Sequence, residues 1–89
     1  MTAPPPRPHI VFVDDDLNLL NGLRRCLLGQ RGEWEMSFCP SGAAALTLMA
    51  NRPADVVISD MRMPEMDGAA LFSKIATLCP RAVRIILSG

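Results

Sequence analysis

The chain has 89 residues, which is enough for one small domain but not for two. Nine lysines and arginines balance nine aspartates and glutamates, so no overall field favours nucleic acid or an anionic membrane. No apolar run approaches the roughly 20 residues of a membrane span, and three widely spaced cysteines support neither a disulfide framework nor a zinc site. These features favour a cytoplasmic protein whose function depends on a local site.

The proline-rich start, residues 1–8, is predicted to be a disordered lead-in, and a single domain is predicted over residues 9–89. Four short apolar runs are predicted to be strands, at residues 9–13, 34–39, 55–59 and 83–87. The first, third and fourth are almost continuously apolar, as expected of parallel strands covered on both faces. The second alternates, which fits an edge strand.

The segments between these runs carry apolar residues at helical spacing. The predicted stripes are Leu17, Leu20, Leu23 or Arg24, and Leu27 in the first segment, Ala45, Leu46 and Met49 in the second, and Leu71, Ile75 and Leu78 in the third. Asp16 and Asp67 are predicted N-caps of the first and third helices. The alternation of strands and helices predicts a doubly wound α/β fold with a parallel sheet and right-handed crossovers.

Two other residue types lead to simpler predictions. The cysteines, Cys26, Cys39 and Cys79, are predicted to be core thiols. Several arginines are scattered along the chain and predict no nucleic-acid surface: Arg24, Arg25, Arg81 and Arg84.

Acidic residues stand at the carboxyl ends of two predicted strands. Asp14 and Asp15 follow the first strand, and Asp60 follows the third. Ligands of parallel sheets gather outside these strand ends, so the three carboxylates would converge if the two strands are neighbours. Their repulsion calls for a cation, and all-oxygen ligation suits Mg²⁺. A carboxylate beside Mg²⁺ can also act as a nucleophile toward phosphorus, although each aspartate alone could simply form a cap or turn.

The segments VFVDDD (11–16) and VVISDMRMPEMDG (56–68) together resemble the receiver domain of bacterial two-component response regulators. The resemblance covers residues 9–89. It implies a flavodoxin-like sheet with strand order 2-1-3-4, and a signalling module rather than a metabolic enzyme.

The same resemblance implies a role for each matching residue. Asp60 corresponds to the aspartate that accepts a phosphoryl group from a sensor histidine kinase, and Asp14 and Asp15 to the acidic pair that holds Mg²⁺. Arg62 corresponds to the position whose backbone carbonyl binds the metal. Ser88 corresponds to the hydroxyl that hydrogen-bonds the phosphoryl group and moves on activation.

A full receiver continues with a fourth helix, a fifth strand that ends in a lysine, and a fifth helix. The 89 residues stop before these elements, so we expect the front portion of a receiver whose output domain belongs to a longer parent protein. Lys74, in the third predicted helix, is expected to be a surface charge and not the phosphate-pairing lysine. Without these elements the fourth strand would be left uncovered. We therefore expect the chain to hide that surface by forming a homo-oligomer.

Two alternatives remain open at this level. A phosphotransferase of the haloacid dehalogenase type also uses a strand-end aspartate with Mg²⁺, but DDDLN (14–18) has that family's DxD spacing without its tail. The other alternative is an interaction fragment that no longer accepts phosphate.

Overall fold

The structure is a computed structural model that describes residues 7–61, 66 and 68–87. Strands and helices alternate along the chain in the order β1 (His9–Val13), α1 (Leu17–Cys26), a 3₁₀ turn (Leu28–Gln30), β2 (Glu35–Cys39), α2 (Gly42–Asn51), β3 (Val56–Asp60), α3 (Gly68–Leu78) and β4 (Val83–Leu87). The predicted alternation is confirmed, and the bounds of β2 and β3 differ from the prediction by one residue. Most of the predicted lead-in, and the predicted cap Asp67, lie outside the described residues.

All four strands are parallel and lie in one sheet in the order β2-β1-β3-β4, which confirms the predicted doubly wound α/β fold. Val13 at the end of β1 is the register partner of Cys39 in β2 and of Ser59 in β3. These three strands therefore end at nearly the same level and form a common carboxyl rim. No helix among the described residues is long and apolar enough to cross a bilayer.

The helices α2 and α3 pack on one face of the sheet. The fully buried residues of this core are Val11, Val13 and Val57 from the strands, Ala45 and Met49 from α2, and Leu71 and Ile75 from α3. Side chains alternate across a strand, so Val11 and Val13 point to the same face. The small side chain of Ala45 allows α2 to approach the sheet closely.

The predicted helical stripes are wrong at two leucines. Leu17 is 60% exposed and Leu78 is 42% exposed. Each is three positions from a buried residue, Leu20 or Ile75, and a step of three residues turns a helix to a position about 60° off the stripe. Each is also the terminal residue of its helix, so it has no further turn beside it to complete the burial.

The prediction of core thiols is correct for two of the cysteines and wrong for the third. Cys39 and Cys79 are buried. Cys26 is exposed, because it is the last residue of α1 and lies outside the packed stripe of that helix.

The amino ends of two helices are capped by side chains. Asp16 accepts hydrogen bonds from the backbone N–H groups of Asn18 and Leu19, at 3.0 and 3.2 Å, which confirms its predicted role at α1. Ser41 Oγ accepts from the N–H of Ala44 at 3.1 Å and caps α2 in the same way. Each cap satisfies N–H groups that have no partner within the helix.

The other face of the sheet carries α1 and a row of exposed apolar side chains on β4. Val57 faces α2 and α3 and is the register partner of Arg84, so the neighbours of Arg84 in the strand point to the opposite face. On that face Val83, Ile85 and Leu87 are 57%, 42% and 48% exposed. Within the described residues, β4 therefore presents an uncovered apolar surface.

Candidate acidic site at the carboxyl rim

The strand order explains how aspartates far apart in sequence become neighbours. Asp14 directly follows Val13 of β1, and Asp60 directly follows Ser59 of β3, the register partner of Val13. The N–H of Asp14 donates to the carbonyl of Cys39 at 3.1 Å and so extends the β1–β2 ladder by one residue. The backbone around Asp14 is therefore held in place from both sides.

Carboxylate oxygens of Asp14, Asp15 and Asp60 lie within 4.8 Å of one another. Asp14 is buried, Asp60 is half-buried and Asp15 is exposed. The group thus has one side in the protein and one side open to solvent. Such an arrangement can take a cation from solution and still leave room for water or a phosphate-bearing ligand.

Burial raises the pKa of Asp14 above its ordinary value, because desolvation disfavours the charged carboxylate. The N–H of Asp16 donates to Asp14 Oδ1 at 2.9 Å and partly opposes this rise in pKa. The negative charges of Asp60, Asp15 and Asp16 raise the pKa further. A positive ion among these oxygens would instead lower the pKa of Asp14, because it stabilises the charged carboxylate.

Ser59 belongs to the site's framework, although the sequence analysis did not single it out. It is fully buried in β3, and its Oγ donates to the carbonyl oxygen of Asp60 at 2.9 Å. This bond holds the backbone of Asp60 at the strand end. A hydroxyl inside an otherwise apolar run was the only signal available in the sequence.

Two predicted site residues, Arg62 and Ser88, lie outside the described residues. Their predicted roles stay predictions. Met66 lies within the described residues and packs against the core. Its sulfur lies beside Gly42, so a Cβ added at position 42 would be only 3.0 Å from that sulfur.

Comparison with known proteins identifies the class. The family described as response regulator receiver domain matches residues 10–89, nearly the whole chain. The chain belongs to this family, whose members are signalling modules and not enzymes in the ordinary sense.

The relatives agree with this assignment. The chain is 40% identical over 83 residues to the transcriptional regulatory protein GlrR of Escherichia coli, covering 91% of the chain and 18% of that protein. It is 37% identical over 82 residues to the C4-dicarboxylate transport transcriptional regulatory protein DctD of Rhizobium meliloti, covering 92% and 17%. The chain therefore spans less than a fifth of the length of either relative.

A solved structure shows the same fold. The signal receiver domain of an HD domain-containing protein from Pseudomonas fluorescens superposes with a TM-score of 0.86 at 34% identity, covering 94% of this chain and 66% of that one. Receiver domains bind Mg²⁺ at an acidic pocket, and the aspartate cluster of this chain lies at the rim where its parallel strands end.

Proposed function

We propose that this chain is a phosphoacceptor module in which Asp60 receives a phosphoryl group from a sensor histidine kinase while Asp14, Asp15 and Asp60 hold Mg²⁺. The observation that carries the proposal is the convergence of these three carboxylates within 4.8 Å at the carboxyl rim. The family of the chain supports the same reading.

The residues present fit Mg²⁺. Every available donor is an oxygen, and Mg²⁺ commonly takes one or two protein carboxylates together with water and phosphate oxygens. Bound there, the ion would supply positive charge that offsets the repulsion between the carboxylates and a phosphoryl group. Asp14, the buried member, gains most from such an ion because its own burial works against its charge. The backbone carbonyl of Arg62 is proposed as a further ligand.

The chemical step requires Asp60 to act as a nucleophile. One of its carboxylate oxygens attacks the phosphorus of a phosphohistidine, a bond from oxygen to phosphorus forms, and the bond from phosphorus to the imidazole nitrogen breaks. The electron pair of the broken bond returns to the imidazole, which takes a proton from water. The bond between Ser59 and the Asp60 carbonyl keeps the nucleophile at the rim during this exchange.

The product would act as a switch. Phosphorylation adds about −1.5 to −2 charges and new acceptor oxygens, to which the Ser88 hydroxyl is proposed to donate. A shift from 1:99 to 99:1 between two states takes ~5.5 kcal/mol, which a few charge-assisted hydrogen bonds can provide. We propose that an output domain of the parent protein reads this change in the cytoplasm. The names of two relatives favour a transcriptional output.

We also propose that the 89-residue polypeptide associates with itself. The exposed side chains of Val83, Ile85 and Leu87 form an apolar row on one face of β4, and burying such a row against a second copy is favourable.

Incubation with acetyl phosphate and Mg²⁺, followed by intact mass measurement, tests the proposal. We expect one labile phosphoryl adduct on the protein, abolished in Asp60→Asn. Asp16→Asn is the matched control, because it removes a nearby charge while asparagine still caps α1. Multiple turnover of a generic phosphate ester would instead indicate a haloacid dehalogenase-type phosphotransferase. The absence of both adduct and turnover would indicate the remaining alternative, an interaction fragment that does not accept phosphate.

A further inference from the structure

A concave surface of about 350 Å³ lies along β2, away from the aspartate cluster. Four arginines line it: Arg7, Arg24, Arg31 and Arg52. Three of them precede strands β1, β2 and β3, so the strand order β2-β1-β3 brings them together at the amino ends of neighbouring strands. The chain has no net charge, so this surface is a local concentration of positive charge.

One glutamate lines the same surface and organises two of the arginines. Arg7 Nη2 lies 3.0 Å from Glu35 Oε1, and Arg52 forms an ion pair with the other oxygen of Glu35. Arg7 Nη1 also donates to the carbonyl oxygen of Arg31 at 2.6 Å. Glu35 thus fixes the positions of two guanidinium groups but neutralises only one positive charge.

The other two arginines have no acidic partner among the described residues. The guanidinium of Arg24 lies over the ring of Phe38, 4.9 Å from its centroid, which holds it against the sheet by a cation–π contact. The side chain of Arg31 is exposed. Four arginines and one glutamate therefore leave an excess of about three positive charges on this surface.

The same surface contains an open strand edge. Among the described strands β2 pairs only with β1, and the Glu35 N–H and the Cys39 carbonyl are both directed toward β1. Backbone direction alternates along a strand, so the N–H and C=O groups of Met36 and Phe38 point to the unpaired side. Met36 and Phe38 also line the concavity. Hydrogen-bonding backbone and positive charge thus occur in one place.

We propose that this surface binds an extended acidic peptide segment, which adds to the sheet as a strand alongside β2. A polypeptide backbone is the ligand that can pair with Met36 and Phe38, and main-chain pairing of this kind is an established mode of peptide recognition. Carboxylates at alternate positions of the peptide lie on one face and can meet Arg24 and Arg31. A second copy of this chain is a poor occupant, because its own arginines would face them.

The site is separate from the proposed phosphoryl chemistry, because none of its lining residues belongs to the cluster of Asp14, Asp15 and Asp60. The partner it fits is a protein segment rich in glutamate or aspartate that is free to adopt an extended conformation. Trp34, the only tryptophan, is half-buried and lines the surface, so its fluorescence reports directly on occupancy.

The test is a titration of Trp34 fluorescence at low salt with a capped octapeptide of alternating glutamate and valine. We expect saturable binding that weakens as salt is added. The double variant Arg24→Gln/Arg31→Gln should bind at least about tenfold more weakly, whereas Arg81→Gln/Arg84→Gln, an equal loss of charge at exposed positions elsewhere, should bind like the parent. Circular dichroism confirms that both variants are folded.

A second peptide tests the strand pairing separately from the charge. N-methylation of its central amides removes the backbone donors and leaves the carboxylates, and it should weaken binding by a similar factor. Three results would each overturn the proposal: no saturation at millimolar peptide, equal affinity for the N-methylated peptide, or equal loss in the two double variants.

Discussion

Val13 and Ser59 are register partners across the parallel β1–β3 pair, and each is followed by an aspartate of the rim cluster. The position of Asp14 next to Asp60 is therefore set by strand register and does not depend on loop conformation. A carboxylate placed in this way can bind a cation without first ordering a flexible segment, which lowers the entropic cost of binding.

The proposed metal site predicts that Mg²⁺ changes the amide chemical shifts of Asp14, Asp15 and Asp60 in a saturable manner. Asp14→Asn and Asp60→Asn should each weaken this response by at least about tenfold, or ~1.4 kcal/mol, because each removes a charged ligand. Asp16→Asn should leave it nearly unchanged. Unaltered Mg²⁺-induced shifts in Asp60→Asn would mean that the metal binds elsewhere.

Stability without metal should depend on the protonation of Asp14. Its pKa is raised in the folded state, chiefly by burial, so the folded protein binds a proton more tightly than the unfolded chain does. The stability gained from this tighter proton binding is fully present below the unfolded pKa of about 4. It is lost as the pH rises through the pKa of Asp14 in the folded protein. Urea unfolding in EDTA should show this decline in the free energy of unfolding, and Asp14→Asn should flatten it.

Saturating Mg²⁺ should oppose this decline in the free energy of unfolding with rising pH. The ion binds the deprotonated carboxylates, so the stability that it adds grows as the pH rises through the pKa of Asp14. A decline in stability of equal size with and without Mg²⁺ would contradict binding at this carboxylate.

The cap of α2 gives a prediction on stability away from the acidic site. Ser41→Ala removes the acceptor of the Ala44 N–H and should lower the free energy of unfolding by about 1 kcal/mol. Ser41→Asn restores a capping oxygen and should recover most of the loss. Chemical denaturation of the three proteins under identical conditions measures the difference, and equal losses in both variants would show that the hydroxyl has another role.

The apolar row on β4 predicts that the 89-residue polypeptide sediments as a dimer or larger species at micromolar concentration. Ile85→Glu should shift the distribution toward monomer, because a charge resists burial in an apolar contact. Arg84→Glu, on the opposite face of the same strand, is the control for a change in charge. A compact parent monomer that unfolds cooperatively would show that this row does not drive association.

Much of the fold was predictable because apolar runs and their spacing depend on local sequence. The placement of Asp14 and Asp60 at strand ends was also visible, since the ends of the runs are marked by the aspartates themselves. Burial at helix ends was not predictable, as Leu17 and Leu78 show, because the first and last turns of a helix can extend past the packing surface.

The arginine surface was missed for a different reason. Arg7, Arg31 and Arg52 belong to three separate segments that precede β1, β2 and β3, and nothing in their spacing relates them. They meet because β2, β1 and β3 are adjacent, which is a property of the strand order. The arginines are scattered along the chain, whereas the distance that matters is the one across the sheet.

The unequal burial of the cysteines has a practical consequence for measuring this molecule. Burial raises the pKa of the Cys39 thiol and lowers its reactivity, and Cys79 is also enclosed, whereas Cys26 is exposed on α1. A maleimide at neutral pH would therefore attach to Cys26 first. A fluorophore placed there, two residues from Arg24, could follow events at β2 in the folded protein without any engineered residue.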